Sequence, residues 1–452
     1  MASPVQLDSL MTHFTTLAPA EWFAERAPAS GPGSRRGIYS WAVVTWLMIV
    51  QRLHPKGTLG AALEHLFATW PAGLLGSCKR VREQRVSGHA GGYCQARQKM
   101  PTLIVNQVSE QILAQLQAAL PDRLPFGERP VYLLDGSSLE LEHTPDLVAA
   151  YPPAENQFGQ THWPILKIAV LHNLANGLAL RPAWGPMYGS NAVSEQALAE
   201  QLLQRLPPSS IVVGDRNFGV FSVAYVAQQR GQEMVLRLSA SRFQSLTGAP
   251  GFCGQDQLVT WTISRAVRSA HPELPATAAI EGRVVVAQLQ SGAASELIYL
   301  FTTLDLPAEQ VLALYGYRWY VETDLRSLKA TIRLQQLKSR SVSMVEKELV
   351  MAITAYNLVR AVMGWAAEQS GIDPRSLSFS QVQNVVDATL PVLAATSTPA
   401  AYAEAFQRMI HRAATYCRLP TRSQLRSFPR LVWGRNYRVF PKYPLRPVLK
   451  TI

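Results

Sequence analysis

The chain is poor in cysteine. Four residues, Cys78, Cys94, Cys253 and Cys417, stand far apart among 452. There is no Cys-x-x-Cys pair and no Cys/His cluster, so neither a zinc site nor a disulfide framework is expected. Reduced thiols of a cytoplasmic protein are. Acids are scarce too. The 31 Asp and Glu against 43 Lys and Arg leave a net charge of +12. An excess of that size points to a polyanionic partner, nucleic acid or an anionic membrane surface, although a basic protein with neither also fits it. Long apolar runs are missing. The most apolar stretch, "YSWAVVTWLMIVQRL" (39–53), is shorter than the roughly 20 residues that span a bilayer and reads as a buried helix. No signal-peptide pattern, internal repeat or low-complexity segment is present.

What is present is a chain 48% hydrophobic and 16% charged, the composition of a folded protein. Its length is too great for one simple core, so two or more domains are expected. Charge is unevenly placed. From Arg418 onward there are nine Arg and Lys, no acid, and interleaved Phe428, Trp433, Tyr437, Phe440 and Tyr443. Five prolines there forbid one long helix. Such a segment suits tracking along phosphates, or is a solvated tail.

Residues 1–125 read as helical, with apolar spacing of helical period in "SWAVVTWLMIVQRL", "TLGAALEHLFATW" and "PTLIVNQVSEQILAQLQAAL". The basic stretch 78–100 between the last two carries Gln95, Arg97, Gln98 and Lys99, types that contact phosphates or base edges. A helical DNA-binding domain or an interaction domain with a basic face would both produce it. The texture changes near 126. "RPVYLLDGSSLEL" reads as a strand entering a turn at Asp135-Gly136, and "WPILKIAVLHNLANGLAL" as two strands joined at Asn176-Gly177. "SEQALAEQLLQRL" reads as a helix capped by Ser194, "SSIVVGDRNFGVF" as a buried strand, and "SVAYVAQQRG" as a helix closed by Gly231. Strand-like segments fill 232–305, and "MAITAYNLVRAVMGWAAEQ" is a further apolar helix. The fold class is therefore mixed α/β.

Asp135 and Asp215 each end a short apolar run. Taken singly, either acid could be a turn cap. A third acid lies in "LYGYRWYVETDLRSLKATIR" (314–333). On a helix advancing about 100° per residue, Arg318, Trp319, Glu322, Arg326, Lys329 and Arg333 fall within roughly 60° of Tyr315. Leu314, Tyr317, Val321, Leu325, Leu328 and Ile332 form the apolar face at about 200–280°. Asp324, near 180°, lies off the cationic stripe and is expected to face solvent. One acid among four cations is poorly matched for internal ion pairs and better matched to a polyanion. Three such carboxylates are what Mg²⁺-dependent phosphodiester chemistry needs to hold one or two hard cations about 4 Å apart.

Tyr315-x2-Arg318-x3-Glu322-x6-Lys329 resembles the Y-x2-R-x3-E-x6-K motif of the IS4-family bacterial transposases. "LLDGSSLEL" and "VVGDRNFGVF" resemble that family's two Asp segments, and "GGYCQARQKMP" a stretch of its helical N-terminal region. The resemblance runs from about 38 to 445 and rests most firmly on the four-residue motif. It implies an RNase H-like core interrupted by a β-rich insertion and preceded by a helical DNA-binding domain. The corresponding boundaries are 1–125 (helical, DNA-binding), 126–236 (core, first part), 237–305 (insertion), 306–385 (core with the Glu helix) and 386–452 (helical and basic tail). It implies Asp135, Asp215 and Glu322 as the catalytic, metal-holding triad for Mg²⁺, in all two ions, with Mn²⁺ able to substitute. Tyr315, Arg318 and Lys329 are implied as contacts to the transposon end, with Arg326, Arg333 and Arg216 as further DNA contacts and Trp319 near a flipped base. Tyr299 is the candidate for a second, base-stacking aromatic on the insertion strand, and Trp261 the alternative. The implied activity is cut-and-paste transposition at terminal inverted repeats, with DNA hairpins as one route and a dimer in the synaptic complex. An inactive DNA-binding regulator and a nuclease without strand transfer are the alternatives.

Overall fold

The computed structural model describes residues 17–27, 33, 37–69, 78–83, 85–120, 129–157, 159–291, 294–396 and 398–420. The basic stretch expected after Arg418 lies outside them from residue 421 on. Three N-terminal helices are where the apolar period places them, α1 (Trp41–Leu53), α2 (Leu59–Thr69) and α4 (Thr102–Ala119), and the basic stretch between the last two holds a further helix, α3 (Gly91–Lys99).

Among the described residues nine strands follow in one sheet: β1 (Val131–Glu140), β2 (Pro153–Asn156), β3 (Gly159–Asn173), β4 (Ala183–Pro186), β5 (Ile211–Gly214), β6 (Glu233–Leu238), β7 (Asp256–Thr262), β8 (Ala279–Ser291) and β9 (Ala294–Thr302). Their order is β2-β3-β1-β5-β6-β9-β8-β7, with β4 paired on β3. β1, β5 and β6 are parallel to one another, and the other pairings are antiparallel. Parallel neighbours need a crossover. Between β5 and β6 it is α6 (Phe221–Gln229). The preceding helix, α5 (Glu195–Leu203), starts where Ser194 Oγ accepts a hydrogen bond from Ala197 N at 3.0 Å.

Side chains on a strand alternate faces. Val131 and Leu133 join Ile211 and Val213 in a core closed by Val311, Leu314 and Val321, while Tyr132 and Leu134 join Leu198, Leu202, Phe221 and Ala224 on the other side. A strand covered on both faces is a near-continuous apolar run, which is why "VYLL" and "IVV" carry no charged residue.

Three expectations are corrected. Asp135-Gly136 is no turn: β1 continues through it to Glu140, paired with β3. The glycine serves a close approach instead, because a Cβ there would stand 2.6 Å from the Glu195 carboxyl carbon. After β3 the chain does turn at Asn176-Gly177, with Gly177 at φ +74°, but the returning segment makes only a His172–Ala179 bridge before β4. In the β-rich block, α7 (Ala240–Thr247) and a short helix at Arg265–Ala270 replace part of the expected strand, because Ser239 and Ser264 cap their first turns. That block extends the central sheet, β9 pairing with β6 through Leu238–Tyr299.

After α8 (Ala308–Gly316) and α9 (Trp319–Arg326) comes the longest helix, α10 (Val342–Ser370), followed by α11 (Phe379–Ala395) and α12 (Pro399–Tyr416). By length and composition α10 could cross a membrane, yet nearly all of it is buried within the protein. Leu349, Val350 and Ile353 on it share one apolar cluster with Leu47, Val50, Val105 and Phe406. Glu348 of α10 forms an ion pair with Arg52 at 2.8 Å and accepts from Arg97 at 3.0 Å, all three side chains less than a tenth exposed. Lys347 donates to the carbonyls of Arg97 and Gln98. Arg97, expected to reach phosphates or bases, is thus an interior residue. It lies in a helix whose basic composition hid one buried turn.

Glu348→Ala leaves two buried guanidiniums without a counter-charge. It should cost about 3–5 kcal/mol, read as a lower urea midpoint, whereas an unchanged midpoint would show that solvent already compensates them.

Candidate active site

Parallel pairing between β1 and β5 ends at Leu134–Gly214; Asp135 is the next residue of β1, and Asp215 is the first residue after β5. By alternation both acids fall on the face that carries Leu133 and Val213, the face covered by α8 and α9. Asp135 is largely buried. Burial, opposed by its hydrogen bond from Gly136 N at 2.8 Å and reinforced by Asp215, pushes its carboxyl up to about 6.

The segment expected as one continuous helix over 314–333 is broken twice. α8 ends at Gly316, a turn at Tyr317–Arg318 leads into α9, and Ser327–Thr331 forms a wider π turn. The breaks redistribute the stripe. Arg318 Nη2 donates to Glu322 Oε1 at 2.6 Å and lies close enough to Asp135 to lower its carboxyl. Lys329 Nζ reaches Ser137 Oγ at 3.0 Å and Ser138 O at 3.3 Å, two and three residues past Asp135. Tyr315 is nearly buried and bonds Arg237. Trp319, 57% exposed, and Arg326 line a cavity of about 390 Å³ whose wall includes Tyr320, Arg375 and Phe379.

Arg333 sits apart from the others. Its backbone is left-handed, at φ +59°, and its guanidinium donates to the carbonyls of Gln51, Arg52, His54 and Pro55, closing the end of α1. Arg216 is exposed beside Asp215. Tyr299 packs at a tilt of 35° against Phe243 with ring centroids 4.6 Å apart, and Trp261 is held edge-on between Phe221 and Phe301.

Asp324 overturns the expectation that it faces solvent. It is fully buried, bonded to Arg360 of α10 and, at 3.1 Å, to Arg375, with His172 of β3 3.9 Å away. Burial alone would raise its carboxyl, but the two arginines hold it below the usual range. Burial also drives His172 down to about 4, so it is neutral at pH 7. The helical phase contained the reason: being opposite the cationic stripe meant being beside the apolar face.

Glu195 is a site residue that sequence reading missed. Its carboxylate lies over Gly136, from the face opposite Asp135, and accepts from Asn217 Nδ2. Burial raises its carboxyl and Asp215 adds to the effect, Lys167 opposing. Read as a helix start, "SEQ" concealed it. The pairing of a strand glycine with an acid is visible only in three dimensions. Among the described residues, no three His, Cys, Asp or Glu side chains are gathered tightly enough to hold one ion. The donors still suit one chemically: all are hard carboxylate oxygens, and the largely buried Asp135 has the like-charged Asp215 beside it.

The description "transposase DDE domain" names the family whose model matches residues 126–358, and the chain belongs to that family, enzymes that act on DNA. Over 365 residues it is 27% identical to the transposase InsG for insertion sequence element IS4 of Escherichia coli (strain K12), a match covering 78% of this chain and 77% of that protein. It is an IS4-family transposase.

Asp324→Ala should lose about 3–5 kcal/mol by leaving Arg360 and Arg375 unpaired in the interior. A chemical denaturation curve matching the wild type would contradict the burial. For Asp135 the folded carboxyl titrates near 6 and the unfolded one near pH 3.9. Folding therefore retains a proton in that window, and stability falls as pH rises through it. In metal-free buffer Asp135→Asn should be more stable than the wild type at pH 7, by on the order of 1–3 kcal/mol, and equal to it below about pH 4. Melting curves at the two pH values check both halves.

Proposed function

We propose that this transposase works by cut-and-paste, cleaving at terminal inverted repeats and joining the freed 3′ ends to target DNA, with Asp135, Asp215 and Glu322 as its metal-holding triad. The observation that carries the reading is the shared face: two acids leave adjacent parallel strands just where the Glu322 segment packs, and Lys329 of that segment bonds β1. The strand order β4-β3-β1-β5-β6, with three parallel members, supports an RNase H-like core in two parts, 126–236 and 306–385. The boundaries 1–125 for a DNA-binding region, 237–305 for an insertion and 386–452 for the tail remain part of this reading.

Mg²⁺, or Mn²⁺ in its place, would supply activation of the attacking water or 3′-hydroxyl and stabilisation of the leaving oxygen. The protein's own part is grip and geometry. Arg318 neutralises Glu322 in the free enzyme and becomes available to a phosphate once Glu322 has another partner. Lys329 projects over Ser137 and Ser138 at the edge of β1, where a DNA backbone would cross. Trp319 offers an exposed ring to an unstacked base at a gain of about 1–3 kcal/mol, which is what a hairpin route requires. Two copies, one per end, would form the synaptic complex.

The test is product analysis with the full chain, Mg²⁺ and duplexes carrying the inverted repeats that flank the gene. Joined products support the proposal, cleavage alone indicates a nuclease, and binding alone a regulator. Asp135→Ala, Asp215→Ala and Glu322→Ala should each abolish cleavage while leaving end binding within a few-fold of wild type. Undiminished cleavage by any of them removes that residue from the triad.

A further inference from the structure

Beside Asp215 lies a polar cavity of about 430 Å³, lined by Asp215, Arg216, Asn217, Ser239, Ser241 and Arg242. The topology explains it. β5 and β6 are parallel neighbours, so the chain leaves both at the same edge of the sheet, through Asp215–Asn217 on one and Ser239–Arg242 on the other. Gly219 presses the first loop against the second strand, since a Cβ there would stand 2.1 Å from Arg237 O. Only glycine permits that approach.

The lining is built for an anion. Ser239 caps α7, accepting from Arg242 N at 3.2 Å, and its Oγ lies 3.0 Å from Ser241 Oγ. The first turn of an α-helix leaves N–H groups without intrahelical partners, and Ser239, Ser241 and Arg242 at the start of α7 line the cavity. Arg242 Nη1 donates to Arg216 O at 3.3 Å, so the two arginines are adjacent. Neither forms an ion pair with a carboxylate among the described residues. Partial burial and the neighbouring Arg216 both lower Arg242 from its usual value. The arginines of the interior, Arg52, Arg97, Arg360 and Arg375, are by contrast matched to acids.

We propose that Arg216, Ser239, Ser241 and Arg242 seat one backbone phosphate of the bound DNA, next to the phosphodiester presented to Asp215. The pocket then acts as a ruler. A phosphate held at one strand end fixes which neighbouring bond lies against the acid at the other. This inference rests on the proposed role of Asp215, and its test is an equilibrium binding measurement that does not need cleavage.

The experiment uses the full chain and duplexes carrying the flanking inverted repeats, each with one neutral methylphosphonate, stepped along both strands in turn. For the wild type, one position should weaken binding about ten-fold, the worth of a charge-assisted contact. In Arg242→Ala that position should cost nothing further, while all others behave as in the wild type. The slope of log affinity against log salt should fall by about one in Arg242→Ala and recover in Arg242→Lys. Ser241→Ala should reduce the same position's penalty in part. Arg242 is exposed, and an unchanged melting temperature excludes a folding effect. Penalties that are additive at every position, or an unchanged salt slope, overturn the proposal. The same walk on an unrelated duplex separates the sources: coupling confined to the inverted repeat assigns the phosphate to the transposon end, and coupling confined to the unrelated duplex assigns it to target DNA. Coupling without cleavage would leave the pocket standing and remove the catalytic reading. Cleavage without coupling would do the reverse.

Discussion

A carboxylate with no access to water holds the proposed active site together. Asp324, two residues after Glu322, is matched by Arg360 from α10 and by Arg375, and touches the neutral His172 of β3. Three parts of the molecule therefore meet on one charge: the sheet, the long central helix and the segment bearing the third acid. Removing such a charge from water is expensive, and the attraction of its partners offsets the cost only in good geometry. An ion cluster of that kind tolerates few alternative arrangements, so the position of α9 follows from its buried side. Glu322, on the other side of the same helix, inherits a fixed place.

The sheet imposes a second constraint. β1 and β5 are covered on both faces, and strand alternation leaves no choice about which core each residue joins. Asp135 and Asp215 come one residue past their last shared pair, on the same face, at the same height. Burial of Asp135 and the like charge of Asp215 beside it both raise its carboxyl, and the protein accepts an Asp135 that titrates near 6. Gly136 then lets Glu195 approach from the opposite face, adding a third negative group. The accumulated charge makes sense at a place meant for cations, and the unmatched arginines at the adjoining strand ends make sense at a place meant for DNA.

Much of this was legible in the sequence. Apolar runs of four or five residues ending in Asp gave the two central strands, serine caps gave α5, and helical spacing located α1, α2, α4 and α10. What was lost was lost for physical reasons. A DG dipeptide signals a turn unless a neighbour needs the glycine's missing side chain, and Glu195 does. Phase angles separate the two sides of a helix but do not say which side meets solvent, and Asp324 was assigned to the wrong one. The breaks at Tyr317–Arg318 and Ser327–Thr331 carry no proline, and glycine only at the end of α8, so nothing local announced them. Arg97 and Arg333 read as surface cations because their partners, Glu348 and the carbonyls ending α1, lie some 250 to 280 residues away in sequence.

One feature of the sheet bears on how such enzymes can diverge. The chain departs from the core through β6 and returns through β9, and these two strands are hydrogen-bonded to each other. The excursion between them is closed at its neck. Residues gained or lost at its far end alter a loop whose closure entropy grows only with the logarithm of its length, and the strand that leads on to α8 starts from the same place regardless. Bulk in this region is thus free to drift between lineages while the root is not, and an enzyme can acquire new surface for DNA there without disturbing the bonds it has to break.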